Sequence, residues 1–227
     1  MGIDPYTKIR LWNEGSIKLK RYGTKYGGWV IPEKFLNSNS IVYCIGCGLD
    51  ISFDLAIIKE FECNVFAYDP TPDVQKFVID STICEERYKF FPSGISGEDG
   101  FARFYLPTKP GHISLSATNI NKGKHFIELE TQKITSALRS NRHKRIDLIK
   151  MDIEGSEYEV LDDLLKHEVP IGVLCVEFDE ARKHQSVGTR DKIIHYINQL
   201  EATGLRLCST SSLANYTFVN ENRFPFR

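Results

Sequence analysis

From Ile41 onward the chain alternates short β-branched or aromatic runs with stretches of helical periodicity, a pattern that dictates a layered α/β fold on a mainly parallel sheet. Strands are expected over residues 41–45, 64–68, 89–92, 146–151, 172–178, 205–209 and 216–220. Between them, Ile51, Leu55 and Ile58 mark one apolar helix face, and Ile193, Ile197 and Leu200 mark another that Gly204 closes. Thr71 before Pro72 reads as an N-cap with proline at the first helical position, and Ser156-x-x-Glu159 reads as a capping box. Only about six residues, 210–215, separate the last two strands, too few for a parallel crossover, so one of that pair runs antiparallel. Between Gly94 and Thr135 the rhythm breaks. Gly-Glu-Asp-Gly at 97–100 reads as a hairpin turn into a strand at 101–106, with another at 126–130; this insertion either extends the sheet edge or covers the site. Residues 1–39, rich in glycine and aromatics near Arg21–Trp29, form an N-terminal segment or lid ahead of a domain spanning 40–227.

A chain of 227 residues buries a substantial core without staples. Its 29 Lys+Arg against 30 Asp+Glu leave no basic excess to attract nucleic acid, and no apolar run approaches the roughly 18 residues of a membrane helix. The partner expected is therefore a small molecule or glycan, with no nucleic acid and no membrane. Cysteines 44, 47, 63, 84, 175 and 208 mostly lie in apolar runs and read as buried reduced thiols. Cys44-x-x-Cys47 has no second cysteine or histidine pair to complete a zinc site. With no basic segment leading into an apolar stretch near the start, a reducing cytoplasm is expected.

Chemistry concentrates after the first strand. Gly46-Cys47-Gly48 links that strand to a helix, the context in which glycine lets a ligand approach the backbone. Asp69 ends the next strand 69 − 48 = 21 residues on, near the offset of roughly 20 at which an acid meets ribose hydroxyls. An adenosine cofactor follows. Ile51 stands where a dinucleotide fingerprint needs its third glycine, which disfavours NAD, and no phosphate-gripping G-x-x-x-x-G-K-[ST] string exists. S-adenosylmethionine, which has no phosphate, remains.

The run Ile146-Asp-Leu-Ile-Lys-Met-Asp-Ile-Glu-Gly-Ser-Glu-Tyr158 resembles the signature of FkbM-type methyltransferases. Ala67–Pro72, the Gly-Glu-Asp-Gly turn before Phe104-Tyr105, and Val176-Glu177-Phe178 resemble further segments of that family, and the likeness runs from about Tyr22 to Asn220. It implies a Rossmann-like class I methyltransferase fold, with S-adenosylmethionine as cofactor and a hydroxyl of a carbohydrate or other small polar metabolite as acceptor. The cofactor set expected is Gly46, Cys47, Gly48, Asp50, Asp69, Pro70, Gly94, Ile95 and Asp152. Two positions depart from the family pattern, Cys44 for an acid and Asp50 for a glycine; Asp50 either replaces the lost carboxylate near the methionine ammonium or caps the helix.

Methyl transfer to an alcohol needs alignment and a base. Asp152, at a strand's C-terminal end, can orient the methionine amine, act as base or hold a cation; Glu154, Glu177 and the loop residue His112 complete the catalytic set expected, with His184 beyond it. Glu157 is a further candidate, but it sits in a helix's first turn, where the dipole also gives an acid a structural role, and that role is favoured. Asp152, Glu177 and Asp179 suit magnesium, a divalent metal that is possible but not expected. Arg139, Arg142, His143, Lys144 and Arg145 read as a solvated helix end or a seat for an anionic sugar; Tyr26 and Trp29 can stack on a ring or pack a core. The rivals are a cofactor-binding domain without turnover and an NAD-dependent oxidoreductase.

Overall fold

The computed structural model describes residues 2–12, 17–81, 86–107, 115–118, 125–183 and 186–223. A hairpin of β1 (Leu19–Tyr22) and β2 (Trp29–Pro32) precedes β3 (Ile41–Ile45), α1 (Ser52–Phe61), β4 (Asn64–Tyr68), α2 (Pro72–Asp80) and β5 (Tyr88–Phe91). The insertion supplies β6 (Gly94–Ile95), β7 (Gly100–Tyr105) and β8 (Phe126–Gln132). Then come α3 (Ile134–Ser140), β9 (Ile146–Met151), α4 (Glu157–Lys166), β10 (Ile171–Glu177), the short α5 (Glu180–Lys183), α6 (Val187–Ala202), β11 (Leu205–Thr210) and β12 (Asn215–Asn220).

All seven strands expected from the sequence join one sheet, in the order β11-β12-β10-β9-β3-β4-β5. Every pairing is parallel except those of β12, which runs antiparallel to both neighbours. The antiparallel strand is therefore wedged inside the sheet. Its Tyr216, Phe218 and Val219 are buried, and an interior position covers such a strand on both faces.

Strand alternation sorts the core into two layers. Tyr43, Ile45, Phe66, Tyr68, Ile149, Met151, Leu174 and Val176 face α3, α4 and α6. Val42, Cys44, Val65, Ala67, Leu148, Val173 and Cys175 face α1, α2 and the N-terminal hairpin. Trp29 is only 2% exposed within that second layer, so it is a core residue and not a stacking platform. On α1 the buried stripe is Phe53, Asp54, Ile57 and Ile58; Ile51 is buried at the N-cap position, while Leu55 turns to solvent.

Three local expectations change. Thr71 and Ser156 occupy the N-cap positions without side-chain capping bonds. Asp69 Oδ1 instead accepts from the Thr71 N–H at 2.9 Å, and Glu159 reaches away from its own helix to accept from the Gly97 N–H at 3.2 Å. The insertion does not extend the main sheet: β6 pairs parallel with β8 and β8 antiparallel with β7, making a separate three-stranded sheet. Gly94, Ile95 and Phe104 of that small sheet line the cavity at the main strands' C-terminal ends, as the second of the two alternatives for the insertion requires.

Candidate active site

The chain leaves β3 for β4 and β5 on one side and returns to place β9 on the other, so β3 and β9 flank the point where strand order reverses. Ligands in open α/β sheets bind beyond the strand ends at such a point. A cavity of about 670 Å³ opens there. Gly46, Cys47, Gly48, Asp50, Asp69, Pro70, Gly94, Ile95, Asp152, Glu154 and Glu177 all line it, bringing together every expected site residue except His112. His112 and His184 fall outside the described residues.

The two loop glycines answer different demands. Gly46 has φ +76°, and a Cβ there would collide with the Asp152 carbonyl oxygen, so this glycine lets β3 and β9 close together at their ends. Its N–H donates to the Tyr68 carbonyl at 2.9 Å, while the Asp152 N–H donates to the Ile45 carbonyl at 3.1 Å. Gly48 has φ +58°, and a Cβ there would meet nothing within 4 Å, so its surface is open to a ligand. Asp69, nearly buried, accepts from the Gly48 N–H at 3.0 Å through Oδ2 while Oδ1 holds Thr71, and this carboxylate fixes the loop it shares with the cavity.

Asp50 has a defined partner set. Oδ1 accepts from the Ser52 N–H at 3.0 Å and Oδ2 from the Thr24 hydroxyl at 2.5 Å, tying the hairpin tip to the start of α1. Burial pushes its carboxyl up, but these bonds outweigh it and hold it below its ordinary value. Tyr26 projects from the same tip, 92% exposed, at the cavity mouth.

Beneath the loop lies a group that sequence reasoning passed over. Lys150 is 6% exposed, and its Nζ donates to the Gly46 carbonyl. Burial works against its charge, yet Asp152 and the buried Asp54 of α1 raise its pKa. One lysine inside the apolar run Ile146–Met151 was the available signal, since a buried cation must be paired. Cys44 and Cys47 border the same cluster; burial pushes both thiols well above their ordinary value, which leaves them inert.

Across the cavity, carboxylates crowd together. Glu177 ends β10, 4% exposed, with Oε1 2.6 Å from Arg182 Nη1 of α5 and Oε2 accepting from Asn215 Nδ2 at 3.3 Å. Arg182 also donates to Asn215 Oδ1 at 3.0 Å, closing a three-membered ring of contacts. Burial raises the Glu177 carboxyl well above the carboxylate range, with Asp152 adding to it and Arg182 opposing it. Asp179 is raised by burial and by Glu154, Glu157, Glu177 and Asp152. Glu157 accepts from the Ile153 and Gly155 N–H groups, the structural role open to it in a first helical turn, and burial pushes it up to about 7. Among the described residues no three His, Cys, Asp or Glu side chains converge as metal ligands. Arg139, Arg142, Lys144 and Arg145 are exposed around the N-terminal end of β9, the far side of the sheet from the cavity.

The cavity fits an adenosine cofactor: it offers open backbone at Gly48, apolar walls from Val74, Ile95 and Phe104, and charged groups at the strand tips. A seven-stranded sheet with one wedged antiparallel strand and a glycine turn after its first parallel strand is the fold of a Rossmann-like class I methyltransferase. The Methyltransferase FkbM domain matches residues 27–201, most of the chain, and the protein belongs to that family. It is accordingly a methyltransferase using S-adenosylmethionine. No curated protein matches the chain. Similar solved structures include the fibrillarin pre-rRNA processing protein of Methanococcus jannaschii, at 9% identity and TM-score 0.47, covering 91% of this chain and 84% of that one. Aeropyrum pernix fibrillarin, solved with natively bound S-adenosyl-L-methionine, gives 7%, 0.44, 91% and 83%. The N-methyltransferase NodS of Bradyrhizobium japonicum, solved with S-adenosyl-L-homocysteine, gives 14%, 0.36, 80% and 78%. Likenesses this distant bear on neither acceptor nor site. Among the described residues no helix is long and apolar enough to cross a membrane.

Proposed function

We propose that the protein methylates a hydroxyl oxygen of a carbohydrate or another small polar metabolite. The observation that carries this reading is Glu177, a buried carboxylate in the cavity wall whose proton affinity is raised above the carboxylate range. A hydroxyl must lose its proton as its oxygen is methylated, and a carboxylate of raised pKa is a stronger base than an ordinary one. The cofactor, when bound, supplies an electrophilic sulfonium methyl. Glu177 receives the hydroxyl proton on a carboxylate oxygen, held in place by Arg182 and Asn215. Glu154, half-buried in the same cavity wall, accepts a hydrogen bond from a neighbouring hydroxyl and orients the acceptor. A wall this rich in acceptors suits a polyol. The formal charge of −1 supports a small or glycan acceptor over nucleic acid.

Methyl-labelled S-adenosylmethionine incubated with neutral sugars, nucleotide-linked sugars, simple amines and RNA tests the proposal, with mass spectrometry locating the label. A methyl ether on a sugar hydroxyl is expected. Label on nitrogen, carbon or RNA with none on a hydroxyl oxygen contradicts it.

A further inference from the structure

Lys150 pairs in register with Cys44 on one side and Cys175 on the other, so its backbone is enclosed by sheet and only its side chain reaches the cavity it lines. The Nζ donates one N–H to the Gly46 carbonyl, and an ammonium carries three. Asp152 follows just beyond the strand end, lines the same cavity and interacts electrostatically with the lysine. A cation and an anion thus stand side by side at the cavity floor, under the glycine loop. Asp54 lies buried behind the lysine, and Asp152 and Asp54 together raise the Lys150 pKa against the cost of its burial. The other cations lining the cavity are differently placed: Arg182 is bound to Glu177 and Asn215, and Lys25 sits on the exposed hairpin tip.

An amino-acid zwitterion matches such a floor. We propose that Lys150 binds the α-carboxylate of the cofactor's methionine moiety while Asp152 takes its α-ammonium. The proposal rests on the assignment of S-adenosylmethionine as cofactor. Lys150 is then a binding residue, and its bond to Gly46 ties the glycine loop to the amino-acid end of the ligand.

Calorimetric binding of three ligands tests this: S-adenosylhomocysteine, its decarboxylated analogue, and 5′-methylthioadenosine, which lacks the amino-acid end. In the unaltered protein, removing the carboxylate is expected to weaken binding about 10- to 100-fold, the worth of a hydrogen bond to a charged group. In Lys150→Met or Lys150→Gln that discrimination disappears, while 5′-methylthioadenosine binds within about twofold of the unaltered protein. Equal affinity of the unaltered protein for the first two ligands overturns the proposal without any variant. Discrimination that survives in a variant, or equal loss of all three ligands there, also overturns it, the latter marking a purely structural lysine. Failure of the unaltered protein to bind any of the three would instead refute the cofactor assignment.

Discussion

On the glycine-loop side of the cavity, Asp50 accepts hydrogen bonds from Ser52 and Thr24 that hold its carboxyl below its ordinary value, and Asp69 accepts from the Gly48 and Thr71 N–H groups. On the far side, two strands from β3 and three from β4, Glu177 and Asp179 are buried among other carboxylates and hold their protons more tightly than ordinary carboxyls. One residue type therefore does two jobs. A carboxylate given N–H donors becomes a fixed anion that shapes a binding loop; one given burial and like-charged neighbours becomes a proton acceptor of raised affinity. On the proposed function, the first kind forms the cofactor wall of the cavity and the second its acceptor wall.

The largest expected effect breaks the acceptor wall alone. Glu177→Gln should lower turnover by about 100-fold or more, the range of general-base catalysis, with an acceptor found by methyl labelling and kcat measured at saturating cofactor. A loss under about threefold would remove Glu177 from proton transfer.

The second effect is on stability. Glu177 and Asp179 have folded-state pKa values above their unfolded ones, so between those values the native state binds more protons than the unfolded chain. Their contribution is full below the ordinary carboxylate range and is lost as pH rises through the raised values. Urea unfolding at increasing pH should show a decline on the order of 1–3 kcal/mol that Glu177→Gln or Asp179→Asn makes shallower. A slope unchanged in both variants would contradict the contrast between the walls.

The smallest effect concerns Asp50. Asp50→Ala should cost about 1–2 kcal/mol of unfolding free energy by releasing Thr24 and Ser52. Affinity for S-adenosylhomocysteine should change by less than roughly threefold, about 0.6 kcal/mol. A larger loss of affinity would return Asp50 to the ligand's ammonium.

Much of this molecule was legible in the chain itself. The seven strands stand where hydrophobic period and turn residues put them, because a parallel strand buried on both faces must be a short, nearly continuous apolar run. The cavity-lining set from Gly46 to Glu177 was also legible, since strand tips and glycine turns are local features. Partnerships made across the fold were not. Glu159 bonds to Gly97 of the insertion instead of completing a capping box, and Arg182 finds Glu177 and Asn215 on two other elements. Nothing in the local sequence marks Asp54, and only the packing of α1 on the sheet brings it near Lys150.

The division of the cavity into two walls is tested most directly by titrating S-adenosylhomocysteine into Asp69→Ala and Glu177→Gln side by side. Asp69→Ala removes the carboxylate that holds Gly48 and Thr71 and should weaken binding about 10- to 100-fold. Glu177→Gln should bind within about twofold of the unaltered protein. Unchanged affinity in Asp69→Ala, or a comparable loss in Glu177→Gln, would contradict it.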